Sequence, residues 1–250
     1  MTNKKFDTTR YCEKCYDLNG MVPTERNGAR ALMACPDCQQ EKRQQRRAWM
    51  NAVRTEEMFQ EYSLTTLNQN ISPSMFRAWV KANRFCEEWL PGCGKGVIFT
   101  GSYGLGKTHL AVGMMRELLM ERGARTGRYL NERRHLQGLR DSYDDDSLER
   151  ESSVLYQAIS PEVLVFDEVG TGNITEWRQD KLADVLDTRL NRKLTTIITT
   201  NFAFTEDGFN ALGRRVGGLC FSRLRQMCLH VEIEGHDYRQ NGGQASMTNM

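Results

Sequence analysis

Gly101-Ser102-Tyr103-Gly104-Leu105-Gly106-Lys107-Thr108 fits the pattern GxxxxGK[ST] at every fixed position. Glycines there let successive backbone N–H groups turn toward a polyphosphate, Lys107 adds a mobile ammonium, and the Thr108 hydroxyl is placed for Mg²⁺. His109 follows at once and is counted with the nucleotide-binding stretch, although its side chain, like those of His135, His230 and His236, joins no ligand constellation. Hydrolysis needs more than a phosphate cradle: a carboxylate for the metal and a group that activates water. Asp167 and Glu168, at the end of the apolar run Val163-Leu164-Val165-Phe166, supply both, Asp167 to hold a Mg²⁺-bound water and Glu168 as the candidate base. Asn201, after the run from Thr195 to Thr200, offers an amide to orient the attacking water or the γ-phosphate. Charge on the transferring phosphoryl group is best met by a guanidinium, from the same subunit or a neighbour. Arg223 and Arg239 are the chosen candidates; Arg214, Arg215 and Arg225 compete, and spacing does not separate them. The chemistry these residues point to is Mg²⁺-dependent hydrolysis of ATP.

A second chemistry is written in the cysteines. Cys12-x-x-Cys15 and Cys35-x-x-Cys38, with nineteen residues between them, have the spacing of a four-thiolate Zn²⁺ site. Four thiolates leave no position for water, so the metal is structural, and its binding supplies folding energy to a segment with few aliphatic residues. A thioredoxin-like redox role for Cys35-Pro36-Asp37-Cys38 would require a strand and helix around it and would leave the second pair unexplained. Cys86, Cys93, Cys220 and Cys228 are scattered among core-like residues and read as reduced thiols.

These groups need elements to hold them. Short β-rich runs at 97–100, 128–130, 163–167, 194–200 and 229–233 alternate with helical patterns, the signature of a five-stranded parallel α/β sheet. Apolar residues at helical spacing continue from the glycine loop over 108–122, and Leu182, Val185, Leu186 and Leu190 form a stripe over 176–191. Ser72 and Pro73 read as an N-cap and first helical residue, with Phe76, Trp79, Val80 and Leu90 forming the face that packs on the nucleotide domain. Residues 141–151 are acidic, a solvated loop or helix junction. The resulting organisation is a zinc-binding domain over 1–40, a helical linker over 41–62, an ATPase domain over 63–238 and a flexible tail over 239–250. Lys42, Arg43, Arg46 and Arg47, with the basic residues near the cysteines, permit nucleic-acid contact, and a solvated helix face explains them equally well. Thirty-four basic against thirty-two acidic residues give a net charge of +2, so charge alone announces no partner. Neither a long apolar run nor a signal-peptide core is present, and a cytoplasmic protein without membrane contact is expected.

GSYGLGKT, VLVFDEVG, TIITTN and SRLRQMCLHVEIEGHDYR, in this order, resemble the DnaC/DnaI-type bacterial and phage helicase loaders and their IstB relatives from about residue 60 to residue 240. The resemblance implies an AAA+ P-loop NTPase with a Walker A motif at Gly101 to Thr108, a Walker B motif at Asp167 and Glu168, and a sensor at Asn201. It also implies an interface arginine finger near Arg223, a second sensor at Arg239, and a subunit-interface role for Arg189. The segment Gly213-Arg214-Arg215-Val216-Gly217-Gly218 departs from the family pattern by placing two arginines before a glycine pair, which keeps Arg215 open as the finger. The implied function is ATP-dependent loading of a replicative helicase onto single-stranded DNA by subunits that associate when ATP-bound, the N-terminal region gripping the helicase. Two alternatives stand beside it: an IstB-type transposition helper, and a zinc-ribbon DNA-binding adaptor whose ATP site is a nucleotide-sensing switch.

Overall fold

The computed structural model describes residues 21–26, 29–53, 57–68, 72–142 and 148–238. The chain forms two compact units, Met1–Arg47 and Ala48–Met250. In the first, β1 (Met21–Arg26) and β2 (Ala29–Ala34) pair antiparallel, from Met21 opposite Ala34 to Arg26 opposite Ala29. This register leaves Asn27 and Gly28 between the strands, the dipeptide that a two-residue hairpin connection favours. Cys35 follows β2 directly, and α1 (Pro36–Ala52) opens on a proline, whose missing N–H costs nothing at the first helical position. Cys38 therefore lies in the first turn of α1 rather than before a linker helix. The stretch expected as a helical linker, 41–62, contains the rest of α1, to Ala52, and a 3₁₀ turn, Glu57–Glu61. Cys12, Cys15, Arg239 and the tail to Met250 lie outside the described residues.

The second unit is built on a parallel sheet of β3 (Gly96–Thr100), β4 (Gly127–Asn131), β5 (Val163–Asp167), β6 (Thr195–Thr199) and β7 (Cys228–Glu232), in the order β4-β5-β6-β3-β7. Each expected run is a strand with its ends within one residue. The three central strands, β5, β6 and β3, are legible because both faces are covered and every residue is buried, which leaves runs of apolar and β-branched side chains. Val97, Phe99, Val163, Val165 and Ile197 join one core with α2 (Pro73–Glu88) and α3 (Lys107–Glu121). Ile98, Leu164, Phe166 and Ile198 face a second core, shared with α6 (Glu176–Asn191), α7 (Leu212–Val216) and α8 (Gly218–Met227). Between β4 and β5 the chain forms α4 (Glu132–Asp141) and α5 (Leu148–Ile159). Because β3 connects to β4 at the far edge while β7 flanks it on the other side, the carboxyl end of β3 opens at a topological switch point.

Ser72 caps α2, its Oγ accepting from Met75 N–H at 3.0 Å, and Pro73 is the first helical residue. The packed face differs from the expected one. Met75, Ala78, Ala82 and Cys86 are buried, whereas Phe76, Val80 and Leu90 are exposed, since small side chains let the helix approach α3 closely. Trp79 is half-buried and donates its indole N–H to Leu64 O at 2.7 Å. Ser74 at the start of α2 also protects the edge strand, accepting from Glu234 N–H at 2.9 Å just beyond β7.

Candidate nucleotide-binding site

The glycine loop follows β3 and ends at α3, which begins at Lys107 behind Gly106. Gly104 (φ 71°) and Gly106 (φ 77°) take left-handed backbone that a side chain would strain, so the loop curls and points the N-terminus of α3 into the site. Lys107 is 7% exposed, and its ammonium donates to Gly101 O at 2.8 Å and Ser102 O at 2.5 Å. Thr108 Oγ1 donates to Asp167 Oδ1 at 3.0 Å, which brings the two expected Mg²⁺ ligands together.

Asp167, at the end of β5, is fixed from two neighbouring strands and a helix. Besides Thr108, its Oδ1 accepts from the Thr199 hydroxyl of β6, and its Oδ2 accepts from Tyr129 OH of β4 at 2.7 Å. Burial raises its pKa above the ordinary carboxylate value, and the hydroxyl donors pull the other way. Glu168 sits at φ 58°, with its N–H donating to Thr199 Oγ1 at 3.0 Å. A non-glycine residue in that conformation is held by its surroundings. Its carboxylate accepts from Asn131 Nδ2 at 2.8 Å, while Asn131 Oδ1 caps α4 by accepting from Arg134 N–H. Sequence reasoning missed Asn131, Tyr129 and Thr199. Their signal is positional: they lie on β4 and β6, the two neighbours of the Asp167 strand.

A cavity of about 230 Å³ lies over these groups, lined by Tyr62, Tyr103, residues 104–109, Glu168, Thr199 and Asn201. Asn201 also borders a second cavity of about 470 Å³ with Ser102, Phe202, Glu232 and Glu234. The His109 ring turns into the 62–66 segment, stacking on Tyr62 at 4.2 Å between centroids, with Nε2 3.1 Å from Ser63 O and Thr66 Oγ1. It thereby ties that segment to α3, and burial lowers its pKa. Tyr238 N–H donates to Gly104 O at 3.3 Å, so the residue before Arg239 rests on the phosphate loop.

The arginines separate in the structure. Arg223, on α8, is half-buried and pairs with Asp187 of α6. Arg214 and Arg225 are exposed. Arg215 turns inward, donating to Gly170 O at 2.7 Å and Gly172 O at 2.6 Å. Arg189 does not reach any surface. It is 0% exposed, and its guanidinium donates to Thr196 Oγ1 at 2.8 Å, Ala158 O and Pro161 O at 2.9 Å, and Thr195 O at 2.6 Å. This corrects the interface role that the resemblance implied: the guanidinium spans α6, β6, the last turn of α5 and the chain just after it. Burial lowers its pKa to about 9, which leaves it charged at neutral pH. Among the described residues no arginine lines the nucleotide cavity.

A model of the IstB-like ATP binding protein family matches residues 37–246. The chain belongs to that family. This IstB-like protein is 28% identical over 113 residues to the replicative helicase loader DnaI of Bacillus subtilis (strain 168), covering 45% of this chain and 35% of that one. It therefore spans about a third of that relative's length. It is 27% identical over 173 residues to the replicative helicase loader DnaC of Escherichia coli (strain K12), covering 66% of this chain and 69% of that one. A crystal structure of the DnaC helicase loader superposes with a TM-score of 0.63 at 25% identity, over 71% of this chain and 99% of the other. The replication initiator DnaA bound to AMPPCP and single-stranded DNA shares the fold, at a TM-score of 0.56 and 18% identity over 70% of this chain and 50% of the other. The IstB-like domain is thus an AAA+ P-loop ATPase on a five-stranded parallel sheet. Among the described residues no helix is long and apolar enough to cross a membrane.

Proposed function

We propose that this ATPase is a cytoplasmic loader that places a replicative helicase on single-stranded DNA. The observation that carries the reading is the similarity to DnaC, which covers two thirds of the chain and matches the ATPase fold. Lys107 and the loop N–H groups bind the triphosphate; Thr108 and Asp167 hold Mg²⁺, which supplies neutralisation of the phosphate charge. Glu168 takes the proton of the attacking water, and Asn201 orients that water. Among the described residues no arginine lines the cavity; the guanidinium is assigned to Arg239 of the same chain and Arg223 of a neighbouring copy, as the resemblance implies. Turnover then depends on association between copies, which makes ATP a signal for assembly. ATP-dependent association with a hexameric helicase tests the reading.

The N-terminal unit holds Zn²⁺ through Cys12, Cys15, Cys35 and Cys38, and presents a stapled platform to the helicase or to DNA. What supports this is the antiparallel strand pair between the two cysteine pairs in sequence and the location of Cys35 and Cys38 at the start of α1. Elemental analysis of the reduced protein should find one zinc per chain, lost in Cys35→Ser; metal-free wild-type protein would refute it.

A further inference from the structure

Arg215 makes two hydrogen bonds that no finger acting on a neighbour could keep. Its Nε donates to Gly170 O at 2.7 Å and its Nη2 to Gly172 O at 2.6 Å, so the planar guanidinium grips the turn directly after Glu168. The same guanidinium lies over the Phe202 ring, 4.9 Å from its centroid, and Phe202 directly follows Asn201. The two turns also touch each other. A Cβ on Gly170, whose φ is 96°, would stand 2.9 Å from the Phe202 ring, so only glycine lets them pack. Other polar groups of the turn are engaged too: Val169 N–H donates to Thr199 O at 2.9 Å, Val169 O accepts from Thr200 Oγ1 at 2.6 Å, and Gly170 N–H donates to Glu132 Oε2 at 3.3 Å. Glu132 is in turn held by Arg178 in a buried ion pair.

We infer that Arg215 is a positioning residue acting within its own subunit, clamping the strand tip that carries Glu168 to the strand tip that carries Asn201. The base and the water-orienting amide are thereby held in one register although they arrive on different strands, and the Thr200 hydroxyl reinforces the clamp by donating to Val169 O and accepting from Phe202 N–H at 3.2 Å. The inference rests on Glu168 and Asn201 acting as proposed; it requires no particular assembly. It also removes Arg215 from the candidates for a finger, since reaching a neighbour's phosphate would break both carbonyl bonds and release the turn.

The test is ATPase kinetics together with fluorescent-ATP binding for Arg215→Ala and Arg215→Lys. Turnover in Arg215→Ala should fall on the order of 10²-fold with ATP affinity unchanged, the split expected when reacting groups are displaced and substrate contacts are not. Arg215→Lys keeps the stem over Phe202 but serves only one carbonyl, so it should fall in between; it carries the same test if the alanine variant does not fold. Mixing Arg215→Ala with Glu168→Gln should recover no activity, because each copy is damaged in its own site. Recovery in that mixture would show Arg215 serving a neighbour and overturn the inference, as would wild-type turnover in Arg215→Ala. Wild-type turnover in Glu168→Gln would strike the assignment of the base itself, and the inference would fall with it.

Discussion

Asp167 is buried and yet has to be ionised to hold a metal, and three hydroxyl donors make that possible. Burial raises its pKa, while Thr199, Tyr129 and Thr108 stabilise the carboxylate. Removing one donor shifts the balance in a known direction. Tyr129→Phe deletes the 2.7 Å bond to Oδ2, so the pKa of Asp167 rises further and the acid limb of the ATPase pH profile should move to higher pH. An acid limb left in place would show that the phenol does not support the ionised carboxylate. At this scale Lys107, Thr108, Asp167 and Glu168 were legible because each motif is contiguous and its chemistry forces its spacing. Asn131, Tyr129 and Thr199 were not, since they reach Asp167 and Glu168 only after β4 and β6 pair with β5 on either side.

Elements explain where the sequence reading erred. For α2 it weighed hydrophobic bulk and chose Phe76, Val80 and Leu90, whereas the helix packs with Met75, Ala78, Ala82 and Cys86. Close helix contact selects small residues, which a search for large apolar side chains passes over. The central strands are legible nearly to the residue because burial on both faces leaves runs of apolar and β-branched residues, while the β1–β2 pair has few aliphatic residues to mark it in a segment otherwise defined by its cysteines. Arg189 teaches the reverse lesson: a charged residue near the end of a helix was assigned to a surface, yet it is a core pillar. Its guanidinium satisfies three backbone carbonyls and the Thr196 hydroxyl, so Arg189→Met should strand those acceptors and lower stability by about 3 kcal/mol. Denaturant unfolding measures this directly; a loss under about 0.5 kcal/mol, the usual range for a surface change, would mean that the carbonyls find other donors.

At the scale of the whole molecule, the nucleotide site joins features from both ends of the second unit. The 62–66 segment is tied to α3 through His109, and the chain just before Arg239 rests on Gly104. Tyr62 and the strand-tip residues Glu168, Thr199 and Asn201 line one cavity with the glycine loop, and Tyr238 rests on that loop. This suits a protein whose ATP state is read by a partner. The fold and the ATPase motifs were readable from sequence, because they are local patterns repeated at fixed spacing; which partner reads the ATP state is written in surfaces, for which sequence has no periodic signal. The direct test of the loader account is sedimentation of a hexameric helicase with wild type, Glu168→Gln and Lys107→Ala, each with and without ATP. Wild type should co-sediment only with ATP, Glu168→Gln should form the longer-lived complex, and Lys107→Ala should form none. Association that is absent in every nucleotide state, or equal for Lys107→Ala and Glu168→Gln, would contradict it.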